Sequence, residues 1–204
     1  MPAPAATQRR GQAGVVLLYA LIALVILTLS GLALVRGMGT ALGIGGNVAL
    51  RRDLQNQGEQ GLSTAIAQFG AAGALSTAAL RQVTNGAINY SSTSLANGAG
   101  SDNNGIPLVL LNDTAFAAAG MNALLDISGT TPGVTIRYVI DRMCTATGAP
   151  SLTTCVAYNG FGTPPPGTNW IPNAGTVYQA VYRITVRVMG PKNTMTFLQT
   201  TIGV

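Results

Sequence analysis

The chain has 204 residues, of which 48% are hydrophobic and only 8% are charged, against roughly 25% charged in a typical soluble domain. It contains no histidine, which excludes the Ser-His-Asp and Cys-His nucleophile systems and every His-ligated metal site. The formal charge of +5 comes from 11 Lys+Arg against 6 Asp+Glu, too thin a scatter for the dense basic face of a strong nucleic-acid binder.

The first candidate element is Val15 to Val35, VVLLYALIALVILTLSGLALV. No charge falls between Arg10 and Arg36. At roughly 1.5 Å per residue this run rises about 31 Å as a helix, matching a bilayer core of about 30 Å. Thr28 and Ser30 do not spoil it, because small hydroxyls bond to carbonyls within the helix. A cleaved secretory signal is the alternative, but its apolar region is about 7–15 residues and ends in an A-x-A-like site. Here Arg36 follows the run directly. Arg9-Arg10 lacks the residues that usually surround a twin-arginine export signal.

Basic residues lie on both sides of the run, so the positive-inside count is nearly tied. The two cysteines break the tie. Cys144 and Cys155 flank a short stretch with Gly148 and Pro150 to make a turn. A disulfide closing that loop needs an oxidising compartment, which places the residues after the run outside the cytoplasm. The closure is worth roughly 3 kcal/mol in the chain-entropy model. Two thiols without histidine or a nearby acidic pair make a poor zinc site.

From Met38 to Phe69 the helix is predicted to continue, with Leu54, Gly58, Leu62, Ala65, Ile66 and Phe69 on one stripe. Glycine weakens this reading, at up to about 1 kcal/mol per residue against alanine. Gly37, Gly39, Gly43, Gly45 and Gly46 predict a kink or a melted stretch over 37–46. The same glycines vaguely fit a dinucleotide fingerprint, but that needs a short strand before it. Gly39 and Gly43 also fit the small-xxx-small packing pattern. Gly73 to Val83 is alanine-rich and predicts a second helical piece. Residues 85–105, rich in Asn, Ser and Gly, predict an exposed loop.

The last third predicts strands. Val134, Ile136, Tyr138 and Ile140 alternate onto one face. So do Tyr178, Ala180, Tyr182, Ile184, Val186 and Val188, leaving Gln179, Arg183, Thr185 and Arg187 on a face predicted to be solvated. Arg183 and Arg187 on that face could instead touch an anion or DNA. Gly190 to Asn193 is a turn, and Thr194 to Ile202 returns as a strand. The stripe ending near Phe69 is the expected cover for the apolar face. Thr163-Pro164-Pro165-Pro166-Gly167 predicts a stiff surface loop, or a proline-rich ligand for a partner groove. Asp102, Asp113, Asp126 and Asp141 show no paired-carboxylate spacing, so no general acid/base chemistry and no enzyme is expected.

The order of these features resembles a type IV pilin, and the minor pilins of the PilX type in particular. The resemblance rests on the basic leader Gln8-Arg9-Arg10-Gly11-Gln12-Ala13-Gly14 and the apolar start Gly14-Val15-Val16-Leu17-Leu18. Leu27-Thr28-Leu29, Asn47, Arg52-Asp53 and Glu59-x-x-Leu62 follow. Arg137 to Cys144, with the second cysteine at Cys155, and Tyr182 to Arg187, followed by Gly190 and Asn193-Thr194, complete it. It leaves about 70–130 without support.

The resemblance implies a pilin-like α+β fold, a long N-terminal helix packed on a C-terminal antiparallel sheet. Its parts would be a leader at 1–14, a membrane and assembly helix at 15–70 and an extracytoplasmic head at 71–204. It implies that prepilin peptidase cuts between Gly14 and Val15 and methylates Val15. It also implies partners: other minor pilins, a major pilin, a tip adhesin and the inner membrane. The location would be the inner membrane with a periplasmic head, then the extracellular pilus, with no cofactor, metal or specific nucleic acid. Most pilins begin with Phe or Met and carry glutamate at the fifth mature position; here those positions hold Val15 and Tyr19. The absent carboxylate points to inefficient cutting or to the pilus tip. The competing readings are a type II secretion minor pseudopilin and a membrane-anchored periplasmic binding module that never polymerises.

Overall fold

A computed structural model describes residues 13–100, 103, 105–160 and 177–204. The leader through Gln12, Asp102 and the proline stretch 163–167 lie outside the described residues. The chain is α+β. Helix α1 spans Ala13–Ala67, and the short helices α2 and α3 span Leu108–Leu111 and Asp113–Ala118. The strands are β1 Tyr90–Ser91, β2 Ile127–Ser128, β3 Thr135–Arg142, β4 Ala157–Gly160, β5 Val177–Met189 and β6 Met195–Gly203. Two compact units divide between Leu50 and Arg51.

The first unit holds α1 up to Leu50. Its described side chains from Val15 to Ala49 are all exposed. Thr28 Oγ1 donates to the Val25 carbonyl at 2.9 Å and Ser30 Oγ to that of Ile26 at 2.7 Å, which satisfies both hydroxyls inside the helix. The backbone stays helical throughout 37–46, where glycine predicted a kink or melted stretch. The helix extends well past this stretch on both sides, so no new nucleus is needed, and each further residue only adds a bond to an existing helix.

In the second unit, α1 residues 51–67 lie on the sheet. Antiparallel registers align Ile136 with Val188, Tyr138 with Val186 and Ile140 with Ile184 across β3 and β5. Val186 pairs in turn with Leu198 of β6. The buried stripe of the helix is Leu54, Gln57, Gly58, Gly61 and Ala65, whereas Ile66 is exposed. The predicted stripe is therefore rotated toward glycine. A Cβ on Gly58 would stand 2.7 Å from Leu198 Cδ1, and one on Gly61 would stand 2.7 Å from Ile136 Cγ2 and 2.9 Å from Val186 Cγ1. Only glycine allows an approach this close. Beyond the helix end, Phe69 meets Tyr182 edge-on with ring centroids 5.0 Å apart.

The sheet is mixed, not wholly antiparallel. β1 pairs in parallel with β3, Tyr90 opposite Ile140 and Ser91 opposite Asp141. The stretch around it corrects the expectation of an exposed loop, because Asn89 to Ser92 are buried. Asparagine side chains order this region by taking backbone donors. Asn89 Oδ1 accepts from the Asn122 amide at 2.7 Å, and Asn112 Oδ1 accepts from Thr114 N at 2.7 Å at the start of α3. Residues 73–83 form turns and one 3-10 turn at Leu80–Gln82 rather than an α-helix. The alanines favour a helix, but the segment is too short for propensity to hold one without an amphipathic face to bury.

The second sheet face is also corrected. Arg183, Thr185 and Arg187 are buried, not solvated. The covering segment belongs to the 70–130 region that lacked support. Val109, Leu110, Phe116 and Met121 pack around Val139, with Leu95, Ile106 and Phe197 at the edge.

The glycine contact generates a test with opposite signs in one helix. Gly61→Val should destabilise the second unit by about 1–3 kcal/mol through overpacking, read as a lower urea midpoint. Gly43 has nothing within 4 Å of its added Cβ. Gly43→Ala should leave that midpoint unchanged while raising helicity, since alanine is better by up to about 1 kcal/mol in a helix.

Candidate functional site

The candidate surface of the first unit is the helix Val15 to Ala49. Among the described residues, it belongs to one helix long and apolar enough to cross a membrane, near the N-terminus. Gly14 lies in the first turn, and that turn carries no acidic residue. Val15 is 55% exposed and Tyr19 is 67% exposed. Spaced by four, they lie on one helical face. Val15 and Tyr19 thus lie together on an uncovered apolar surface, with Gly14 just before them in the helix.

Cys144 and Cys155 form a disulfide, as the spacing predicted. Its loop is pinned from inside by Arg142, which is fully buried. Arg142 Nε donates to the Ser92 carbonyl at 3.0 Å, Nη1 to Gly148 O at 2.8 Å and Nη2 to Ala146 O at 3.1 Å. Gly148 has φ +96°, a left-handed turn that suits glycine.

The second sheet face assembles charges that sequence spacing left apart. Register places Arg137 opposite Arg187 and Asp141 opposite Arg183. Like charges directly opposite would repel. Asp113 stands between them: its Oδ1 lies 2.7 Å from Arg137 Nη1 and 3.0 Å from Arg187 Nη2. Arg137 also grips Asp126 in a two-pronged pair, Nε to Oδ1 at 2.7 Å and Nη2 to Oδ2 at 2.6 Å. Its guanidinium carbon sits 4.3 Å from the Phe116 ring centre. Arg183 holds Asp141 at 3.0 and 2.6 Å. Three of the four acids that looked scattered are therefore joined to three arginines. Arg183 and Arg187 bind carboxylates of the chain itself, which corrects the expected solvated face and also sets aside its alternative, contact with an outside anion or DNA. The legible signal was parity: Arg137 and Arg187 occupy equivalent faces of neighbouring strands, and an arginine pair needs a carboxylate.

These contacts set proton affinities. The hydrogen bond from Arg187, then its charge and that of Arg137, hold the Asp113 carboxyl below the ordinary carboxylate range, with slight burial opposing them. The bond to Asp126 raises Arg137, against the cost of burial. The arrangement neutralises and orients; it presents no free acid or base.

Comparison with protein-family models, with curated proteins and with solved structures returns no match for this chain.

A depressed folded-state pKa stabilises above the unfolded value and loses that contribution as pH falls through the folded one. The Asp113 contribution should thus be complete above about pH 5 and decline progressively below about pH 4, vanishing only once the pH has passed the lowered folded-state value. Asp113→Asn should lower stability at neutral pH and flatten the acid limb of a Tm-against-pH curve. At the buried pair, Asp141→Asn should cost about 3–5 kcal/mol by stranding Arg183, measured by urea unfolding at pH 7.

Proposed function

We propose that this chain is a structural minor pilin that helps prime type IV pilus assembly, at or near the tip. The observation that carries the reading is a single helix, α1, with two surfaces. It is apolar and uncovered from Val15 to Ala49 and seated on a sheet through Leu54, Gly58, Gly61 and Ala65. Such a helix is suited first to a bilayer and then to packing against other pilin helices. The disulfide supports placing the second unit in an oxidising compartment outside the cytoplasm. The work is done by contacts with other minor pilins, a major pilin and a tip adhesin. A minor pseudopilin of type II secretion is the near neighbour of this reading.

Processing separates it from a membrane-anchored periplasmic binding module. The mature chain should begin at methylated Val15 when prepilin peptidase is active, and Gly14→Glu should block the cut. Mass spectrometry of the mature N-terminus tests both. A chain that still begins at Met1 or Pro2 would favour the anchored module.

Tyr19 accounts for the tip. A buried ammonium without a partner is costly, and a fifth-position carboxylate would supply that partner for the amine of the subunit ahead. Tyr19 offers a hydroxyl without charge. This subunit therefore docks poorly beneath another, while its own Val15 amine stays available to a neighbour's glutamate. Immunogold should find sparse copies at tips or in an inner-membrane priming complex. Tyr19→Glu should raise labelling along shafts more than tenfold, since a charge pair in a low-dielectric core is worth a few kcal/mol, at roughly 1.4 kcal/mol per factor of ten. Even labelling of wild-type shafts refutes the tip assignment.

A further inference from the structure

Two guanidiniums in the second unit line one cleft that, among the described residues, holds no side-chain carboxylate. Among the described residues, every ion pair uses Arg137, Arg183 or Arg187. Arg142 is buried, donates to three backbone carbonyls and shares a side-chain hydrogen bond with Tyr182, as Arg81 does. Arg81 donates from Nε to the Thr77 carbonyl at 3.2 Å, while its Nη1 is buried without a partner. A guanidinium has five N–H donors, so open donors remain here, both of those on Arg81 Nη1 among them. Leaving such donors unmade in a buried site costs free energy.

The two arginines line one cleft of about 180 Å³ with Tyr182, Gln179, Pro150 and Ala180. Tyr182 and Tyr90 do not offset the charge. Burial raises both phenols above their ordinary pKa, and the two arginines only partly counter it, so both stay neutral. The Tyr90 hydroxyl is itself committed to the Arg81 carbonyl. Nearby Asp141 is held by Arg183. The local field is positive, both guanidiniums line the cleft, and the volume suits a few non-hydrogen atoms.

We propose that the Arg81–Arg142 cleft binds a small oxyanion, a carboxylate or a phosphate, between the two guanidiniums. Arg142 is fixed by the disulfide loop and forms the rigid wall; Arg81 supplies the open donors. Tyr182 lines the same cleft and hydrogen-bonds to both arginines. The site does not depend on the pilin reading, since a free anion or an acidic group on a partner would use the same chemistry.

The test uses the full chain in an uncharged detergent at neutral pH and constant ionic strength, with chloride as the reference salt. Inorganic phosphate and acetate are titrated separately, and Tm is read. Binding raises Tm by about 3–6 °C when the anion is about tenfold over its Kd. Arg81→Gln should abolish this rise, and Arg81→Lys, which keeps the charge and loses the fork, should weaken it. Arg142 anchors the loop, so Arg81 is the residue to vary. A response to phosphate alone assigns a phosphate-type ligand; a response to acetate alone or to both assigns a carboxylate-compatible site. An equal rise in Arg81→Gln overturns the proposal. So does no rise in the wild type, which would mean that a group of the chain, such as Val204 in the cleft lining, already compensates the two charges.

Discussion

The close approach of α1 to the sheet at Gly58 and Gly61 governs the second unit. A backbone that nearly touches Ile136, Val186 and Leu198 leaves no room for side chains between helix and sheet. The apolar residues of β3, β5 and β6 can then be buried by a single narrow helix, with Leu54 and Ala65 closing the ends. Packing at this density transmits any added methyl as strain rather than absorbing it. The glycines that weaken α1 as an isolated helix are what let it serve as a cover.

One side of the sheet being closed by the helix, the other must be closed by chain that also carries counter-charges. Arg137, Arg183 and Arg187 sit on that face by strand parity, so the cover must bring acids with it. Asp113 at the start of α3 and Asp126 before β2 are such acids, and Asp141 comes from β3 itself. Burying an ion pair rarely adds net stability, but losing one partner is costly. The pairs therefore fix which cover fits this face. A chain with so few acids spends half of them here, and Arg81 and Arg142 are left without one.

The strands were legible because alternation over β3 and β5 is regular and long, and Gly190 to Asn193 marks their turn to β6. The disulfide was legible from two cysteines and a turn between them. The helix was legible as an apolar run, and its buried stripe only in part: Leu54, Gly58 and Ala65 were placed on it, but hydropathy ranks Ile66 above Gly61 while the contact demands the absence of a side chain. The cover of the second face was illegible for a related reason. Asn89 fell in a stretch predicted as loop and Asn112 and Asn122 in chain with no assigned element, yet each accepts backbone N–H bonds that hold turns in place. The charged face failed for lack of the third dimension: Arg137 and Asp113 are far apart in sequence and joined only once β3 and α3 stack. Of the candidate site, Gly14, Val15 and Tyr19 could be placed on one helix, while their roles rest on resemblance.

Glycine plays two physical parts in α1, and the contrast bears on the proposed function. At Gly58 and Gly61 the helix-propensity cost is offset by contact with the sheet. At Gly31, Gly37, Gly39, Gly43, Gly45 and Gly46 an added Cβ would meet nothing within 4 Å. Each costs up to about 1 kcal/mol against alanine, and no crowding of an added Cβ requires glycine there. In a bilayer the backbone bonds hold because no water competes for them. Against another apolar helix, small residues permit the same close approach that Gly61 makes on β3. Under the pilin reading, the exposed glycines and the buried ones are one device used twice, first against the protein's own sheet and then against the helices of its neighbours.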